Sequence, residues 1–422
     1  STLCGNGLNP LDEACHNNGL RLVDVRNEQA AAYMADAYGR LTGRPGVCSS
    51  SSGVAHVNAL TGVLNAYFDG APMLLVTGCG DTATMGLGHF QDVDQVALAE
   101  PICKYARLID RVELVPEILF EAWSAAINGR PGPVHITFPQ DMMLAEIDPA
   151  QADQIPTPPE RVVVAGDPLQ ITEAVKLLQE AQCPLIIAGS GVFYAHGESA
   201  LLHLAREQAI PIVTPIWDRG SVSEPASVFM SVIGAATGEV SFLNEADVII
   251  MAGAVPDYRV GYLHPPSIRS DARVIRIEPD ATQLHRTGRG DLYICGDIRL
   301  SLESIANSCL ASRRKPTSDW LENARMRQDT FRQECLTARD MAPGGMHALD
   351  IINSIQSVLT DETIVLIDGG NIGQWCHQAL CDKYPGHWLT CGASGVVGYG
   401  LPAAMSARLL FPDRPIVLIT GD

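Results

Sequence analysis

Short apolar runs that close on Gly, Asp or Ser recur along the chain, separated by longer stretches of helical period. In the first third these runs are LRLVDV, PGVCSS, PMLLVTG and GPVHITFP. Between them, NEQAAAYMADAYGRLTG has the Ala, Met and Leu content of a buried helix that stops at Gly43. The second third repeats the alternation with PLIIAGSG, IPIVTP, ADVIIMAGA and ARVIRIEPD, and a third block runs from TIVLIDGGN to IVLITGD. Parallel strands need a helical crossover to bring the chain back, so strands alternating with helices predict sheets covered on both faces. The expected fold class is α/β, with three doubly wound parallel-sheet domains and the last incomplete.

The punctuation between the blocks sets the boundaries. IDPAQADQIPTPPERV carries Pro149, Pro156, Pro158 and Pro159 and can join neither a helix nor a central strand. It reads as a linker over 149–165, between a domain at 1–148 and a central domain at 166–310. ASRRKPTSDWLENARMRQDTFRQE is charged and helical and is expected to bridge 311–345, ahead of a third domain at 346–422. The closing IVLIT reads as a buried strand that ends on Gly421 and Asp422, with no helix to cover it. A strand's carboxyl end is where open α/β sheets place ligand chemistry, so the chain is expected to be truncated there.

Composition narrows the function. Hydrophobic residues are 46% and charged residues 18% of the 422, enough apolar side chains for large cores. A net charge of -19 argues against a nucleic-acid partner, which demands clustered Lys and Arg. It leaves room for an anionic ligand held by a few oriented amides and a metal ion. The twelve cysteines show no CxxC spacing and read as reduced core fillers. No apolar run reaches the roughly eighteen residues of a membrane span, and a cytoplasmic location with no membrane partner is expected.

Several stretches could carry chemistry. Glu28 follows a predicted strand and opens the Ala-rich helix, where the helix dipole favours a carboxylate; an ordinary first-turn Glu would look the same. GVCSSSSG, with Ser52 and Gly53, is a turn rich in free amides and hydroxyls that suits a phosphate or a simple helix cap. His56 reads first as a capping or core histidine, with a ligand or base as the alternative, and GHFQDVDQ offers Gln91, Asp92 and Asp94 on a loop. In IIAGSGV the third glycine of a dinucleotide fingerprint is replaced by Tyr194, and Glu278–Asp280 close a strand where an acid could reach a ribose. IDGGN and CGASGVVGYGLPAA are glycine-dense, with Gly370, Asn371, Gly395 and Val397 among their residues.

Taken in order, these segments resemble thiamine diphosphate-dependent enzymes of the acetolactate synthase-like group, which also includes pyruvate decarboxylases, benzaldehyde lyases and oxalyl-CoA decarboxylases. RNEQAAAYMADAYGR is similar to the group's RHEQGAAHMADGYAR, and SSGVAHVNALTG to its TSGPGATNLVTG. FQD followed by PICKY resembles FQE followed by PITKH, and VGYGLPAA resembles MGFGLPAA. ITGD then looks like the start of a Gly-Asp-Gly metal and diphosphate motif, with the group's first strand expected before Ser1.

The resemblance implies roles. Glu28 would be the catalytic glutamate that hydrogen-bonds the cofactor's aminopyrimidine ring and favours its imino form. Gln91 and Asn58 would line the site, with Lys104 nearby; Ser52, Gly53, Gly370, Asn371 and Gly421 would contact cofactor. Gly395 and Val397 would hold the pyrimidine, and Asp422 would bind Mg2+ at the diphosphate. The implied reaction is decarboxylation and carboligation of 2-keto acids, led by two pyruvate giving 2-acetolactate and CO2, in a homodimer or homotetramer. An aldehyde or acyl-CoA lyase is the alternative within the group. A nicotinamide oxidoreductase and a non-catalytic binding protein are the alternatives outside it. Departures stand at Asn27, Val54, Ala55, Asn371, Ile372 and Val397, which weaken acetolactate synthase proper more than the cofactor assignment. GAVPDYRVG looks like a segment that contacts FAD, which is a minority expectation.

Overall fold

The computed structural model describes residues 1–148, 157–240, 242–286, 289–312, 318–340, 344–380 and 388–421. It contains three parallel sheets, and the chain divides into two compact units: Ser1–Val162 with Cys391–Asp413, and Val163–Thr390 with Arg414–Asp422.

In the first unit, β1 (Thr2–Leu3), β2 (Gly46–Ser50), β3 (Met73–Cys79), β4 (Ala106–Leu108) and β5 (Pro133–Pro139) lie in the order β1-β2-β3-β5-β4, all parallel. Every residue of β3 is buried, as expected of a central parallel strand covered on both faces. The Glu28–Thr42 helix begins where the Asn27 side chain accepts from the Gln29 amide at 2.8 Å, and it ends at Gly43 with φ 68°. Its buried face is built of Ala31, Ala32, Ala35 and Ala37, which lets the Val54–Asp69 helix approach closely. A Cβ at Gly62 of that second helix would stand 2.4 Å from the Ala32 Cβ. The Gly400–Leu410 helix packs on the same Ala-rich helix, where Ser406 Oγ donates to the Met34 carbonyl at 3.0 Å.

The second unit holds a six-stranded parallel sheet of β6 (Pro184–Ala188), β7 (Ile212–Pro215), β8 (Phe229–Ile233), β9 (Val248–Ala252), β10 (Arg273–Glu278) and β11 (Leu292–Cys295). Their order is β11-β10-β9-β6-β7-β8. A small third sheet is formed by β12 (Ile364–Ile367), β13 (Trp388–Thr390) and β14 (Ile416–Ile419), with β12 in the middle. Ile186, Ile250 and Ile275 share one core with Val365, Ile367 and Ile419. The charged bridging stretch contains the Ser318–Asp340 helix, whose Trp320 Nε1 donates to the Pro184 carbonyl at 2.9 Å.

Two differences from the sequence expectation have physical causes. LRLVDV is no strand; it makes one isolated bridge at Asp24, with Leu20 and Leu22 exposed and only Val25 turned into the core. The strands β1, β4 and β13 have only two or three residues each, too short to stand out as apolar runs, and β8 carries Ser231 in its middle. Residues 149–156 of the Pro-rich linker lie outside the described residues. Among the described residues no helix is long and apolar enough to cross a membrane, and the eleven described cysteines are free thiols.

Candidate cofactor site

Glu28 is the first residue of its helix and is half-buried. Asn58, one turn into the Val54–Asp69 helix, donates its amide nitrogen to Glu28 Oε2 at 3.1 Å. Close packing of the two helices therefore brings together a carboxylate and an amide thirty residues apart.

A second cluster lies beyond the ends of β2 and β3. Gly53 has φ 58° and ψ -109°, and a Cβ there would fall 2.6 Å from the Gln91 Cβ and 2.8 Å from the Gln91 carbonyl. Only glycine fits this approach. Ser52 Oγ accepts from Asn6 Nδ2 at 3.3 Å and donates to Gln91 Oε1 at 2.9 Å. Gln91 has a left-handed backbone, φ 60°, and lines a cleft of about 910 Å³ together with Asp92, Asp94, Gln95, Arg107 and Thr137.

Sequence reasoning missed Gln95. It opens the Gln95–Ala99 helix behind the capping Asp94 and is 3% exposed. Its side-chain oxygen accepts from the Gly53 amide at 2.9 Å, and its nitrogen donates to the Gly78 carbonyl at 3.3 Å. A glutamine heading the apolar QVALA run was the available signal. His56 belongs to the dry floor of this cluster: its Nδ1 and His135 Nε2 meet the Thr77 hydroxyl at 3.1 and 3.2 Å, with ring centroids 4.7 Å apart. Burial pushes the His56 pKa down to about 4 and holds His135 well below its ordinary value, so both rings are neutral at pH 7. Lys104 reaches away, donating to the Asn128 carbonyl at 2.5 Å.

Gly395 and Val397 sit on the turn that precedes the Gly400–Leu410 helix, in the same unit. Gly395 has φ 67° with open space where a Cβ would go, and Val397 is 64% exposed. The turn is anchored from below by a buried ionic cluster. Arg40 Nε donates to Asp36 Oδ1 at 2.9 Å, Asp69 stands 3.7 Å away, and Arg40 and Asp36 side chains are fully enclosed. Asn65 donates to Asp36 at 2.7 Å and accepts from Ser394 Oγ. The Tyr399 ring lies 5.2 Å from the guanidinium carbon. Burial outweighs Arg40 in raising Asp36 to about 6.

The second unit carries the remaining candidates at the carboxyl ends of β12 and β14. Gly370 has φ 85° and leads into the Asn371–Leu380 helix, whose N-terminal amides suit an anion. Asp368 N donates to the Ile419 carbonyl at 2.9 Å, which ties the two strand ends together. A Cβ on Gly421 would meet Ile372 Cγ2 at 3.0 Å and the Gly369 carbonyl at 3.2 Å. Asp422 lies outside the described residues, among which no group of three His, Cys, Asp or Glu is placed to hold a metal.

The other candidates have structural partners. Asp280 caps its own turn by accepting from Thr282 N at 2.9 Å. Gly189 and Gly191 press against Ala254 and Gly253, where a Cβ would clash with backbone at 2.5 and 2.7 Å.

Comparison with known proteins gives the family. Residues 1–98 match the family model of the N-terminal TPP binding domain of thiamine pyrophosphate enzymes. Residues 171–305 match their central domain, and 368–422 their C-terminal TPP binding domain. The chain belongs to the thiamine pyrophosphate enzyme family. It is 32% identical to a probable acetolactate synthase large subunit of Methanocaldococcus jannaschii, over 99% of this chain and 72% of that protein. It is 31% identical to the probable acetolactate synthase large subunit of Methanococcus aeolicus, with the same coverage. Against the acetolactate synthase large subunit of Parasynechococcus marenigrum it is 30% identical over 99% of this chain and 68% of that protein. As a thiamine pyrophosphate enzyme of the acetolactate synthase-like kind, it uses thiamine diphosphate, and its candidate residues divide into two sets. Glu28, Asn58, Ser52, Gly53, Gln91, Gly395 and Val397 lie in the first unit, and Gly370, Asn371 and Gly421 in the second.

Proposed function

We propose that this chain is a thiamine diphosphate- and Mg2+-dependent carboligase and decarboxylase of 2-keto acids, and that it joins two pyruvate and one proton into 2-acetolactate and CO2. The observation that carries the reading is Glu28 at the start of its helix, its carboxylate met by Asn58 at 3.1 Å.

The donor set fits the cofactor. One carboxylate on an accessible helix start suits the ring nitrogen of an aminopyrimidine, and the open, left-handed Gly395 turn with exposed Val397 suits its flat face and edge. The Gly370–Asn371 helix start and Gly421 suit a diphosphate, with Asp422 as the Mg2+ ligand. When bound, thiamine diphosphate supplies a carbon nucleophile and an electron sink. Glu28 would hold the proton on the aminopyrimidine ring nitrogen, and Asn58 would orient the carboxylate. Gln91 would turn an amide toward the substrate. Gly395 and Val397 would set the angle of the ring.

FAD stays outside the proposal. Arg259, the cation of GAVPDYRVG, is enclosed and spent on Asp218, on Asp257 and on the Ile216 carbonyl at 2.6 Å. A cytoplasmic homodimer or homotetramer is part of the reading. Exposed Val54, Val57 and Phe68 on one helix, and Leu401, Met405 and Leu409 on another, give the first unit apolar faces for a second copy.

Purified protein with thiamine diphosphate, Mg2+ and pyruvate should form acetolactate, and Glu28→Gln should lower kcat by about a hundredfold or more. Unchanged turnover in Glu28→Gln would remove Glu28 from the mechanism. Absence of acetolactate from the wild type would remove pyruvate as the substrate.

A further inference from the structure

Gln91 sits on an irregular loop with a backbone conformation, φ 60°, that a glutamine adopts only under constraint. The constraint comes from Gly53, whose missing Cβ leaves the space that the Gln91 backbone and Cβ occupy. Gly53 is in turn left-handed and buried, and its amide must find an acceptor. Gln95 supplies it. The orientation of the Gln95 amide is forced, because Gly53 N can only donate and the Gly78 carbonyl can only accept. Thr137, 3.5 Å from the Gln95 nitrogen, links this residue to the buried histidine pair beneath.

The Gln91 side chain is held by the Ser52 hydroxyl. In the structure Ser52 Oγ accepts from Asn6 at 3.3 Å and donates to the Gln91 oxygen at 2.9 Å. The Gln91 amide nitrogen is then the end left for a ligand in the cleft. We propose that Gln95 is a positioning residue: through the Gly53 amide it holds the loop on which Gln91 presents its nitrogen to a carbonyl or carboxylate oxygen of the substrate. The substrate half of this proposal rests on the 2-keto acid reading above.

Two measurements on the full chain test it. The first is amide hydrogen exchange in Gln95→Met, which cannot accept from Gly53. Exchange should quicken at Gly53 and across the segment around Gln91, with the rest of the first unit still protected. Unchanged exchange at either place overturns the positioning role whatever the enzyme's activity. Gln95→Glu, whose protonated acid can make both bonds, should lie between Gln95→Met and wild type. Should Gln95→Met fail to fold, Gln95→Glu decides alone: after correction for the intrinsic pH dependence of amide exchange, the Gly53 and Gln91 segments should gain protection as the pH falls and the acid regains its bond to Gly78, and pH-independent protection overturns the role.

The second is a double-mutant cycle on enzyme loaded with thiamine diphosphate and Mg2+. Gln95→Met should lower kcat/KM for pyruvate by about tenfold or more with cofactor affinity retained, as misplacement of a substrate contact does. In a Gln91→Ala background it should cost little further. Effects that multiply in full would show that Gln95 does not act through Gln91. A wild-type enzyme that turns over no 2-keto acid would defeat the functional reading and, with it, the substrate half of the proposal. The exchange result would still decide whether Gln95 holds the loop.

Discussion

Each unit contains a buried arginine held by two aspartates, and the two are built differently. Arg40 meets Asp36 and Asp69, with side-chain exposures of 0%, 0% and 1%. Arg259 is 1% exposed, but its partners Asp218 and Asp257 keep 11% and 23%. Water thus reaches one cluster and not the other. Where it does not, burial outweighs the guanidinium and Asp36 is raised to about 6. Where it does, Arg259 is pushed above its already high value by the two acids.

Their reach also differs. Arg259 and Asp257 are two residues apart, so half of that pairing is local. Arg40 and its neighbours tie two helices to the Gly392–Tyr399 stretch more than three hundred residues on, through Asn65 and Ser394. The drier cluster is the one that holds the turn carrying Gly395 and Val397. Dry charge is sensitive to a missing partner, so that turn should depend on every member of the cluster.

The strongest way to break this comparison is to remove each arginine in turn. Arg40→Met leaves two enclosed carboxylates facing each other and should cost about 3–5 kcal/mol in urea unfolding. Arg259→Met leaves Asp257 partly in water and Asp218 still held by the Ser190 amide, and should cost about 1–3 kcal/mol. Equal losses would mean that the difference in solvent access has no energetic weight.

The next effect is on pH. The folded pKa of Asp36 lies above its unfolded value, so its contribution to stability is full below about pH 4 and lost as pH rises through 6. The buried histidines His56, His135 and His377 act in the opposite sense. Their folded values are depressed by burial, so their contribution is full above about 6.5 and is lost on acidification. The difference between wild type and Asp36→Asn isolates the acid. It should change by roughly 3 kcal/mol between pH 4 and pH 7, from about 1.4 kcal/mol per pKa unit. A flat difference would place Asp36 in a wetter setting than its geometry shows.

The smallest change sharpens the link to the site. Ser394→Ala removes one hydrogen bond to Asn65 and should cost about 1 kcal/mol. It should weaken thiamine diphosphate binding more than it lowers stability, as titration of the cofactor would reveal, if the cluster acts by holding the turn.

Much of the fold was legible in the sequence, and the reason is local. Buried parallel strands such as PMLLVTG and ADVIIMAGA are apolar on both faces, and the Ala-rich helix announces its own stop at Gly43. Individual candidate residues stood out as motifs, among them Glu28, Ser52, Gly53 and Gly370. Gln95 was not, because its meaning lies in Gly53 and Gly78, forty-two and seventeen residues away. His56 read as a core or capping histidine, and the Thr77–His135 packing is what makes it a neutral floor residue.

Hydrophobic period, capping and glycine conformation act over a few residues, so strands, helices and the family they belong to can be read along the chain. Which polar groups meet depends on how the segments pack. Hydrogen bonds and ion pairs such as Glu28–Asn58, Gly53–Gln95 and Arg40–Asp69 depend on distances between segments that nothing local in the chain encodes. Their strength depends on how completely the fold removes water around them.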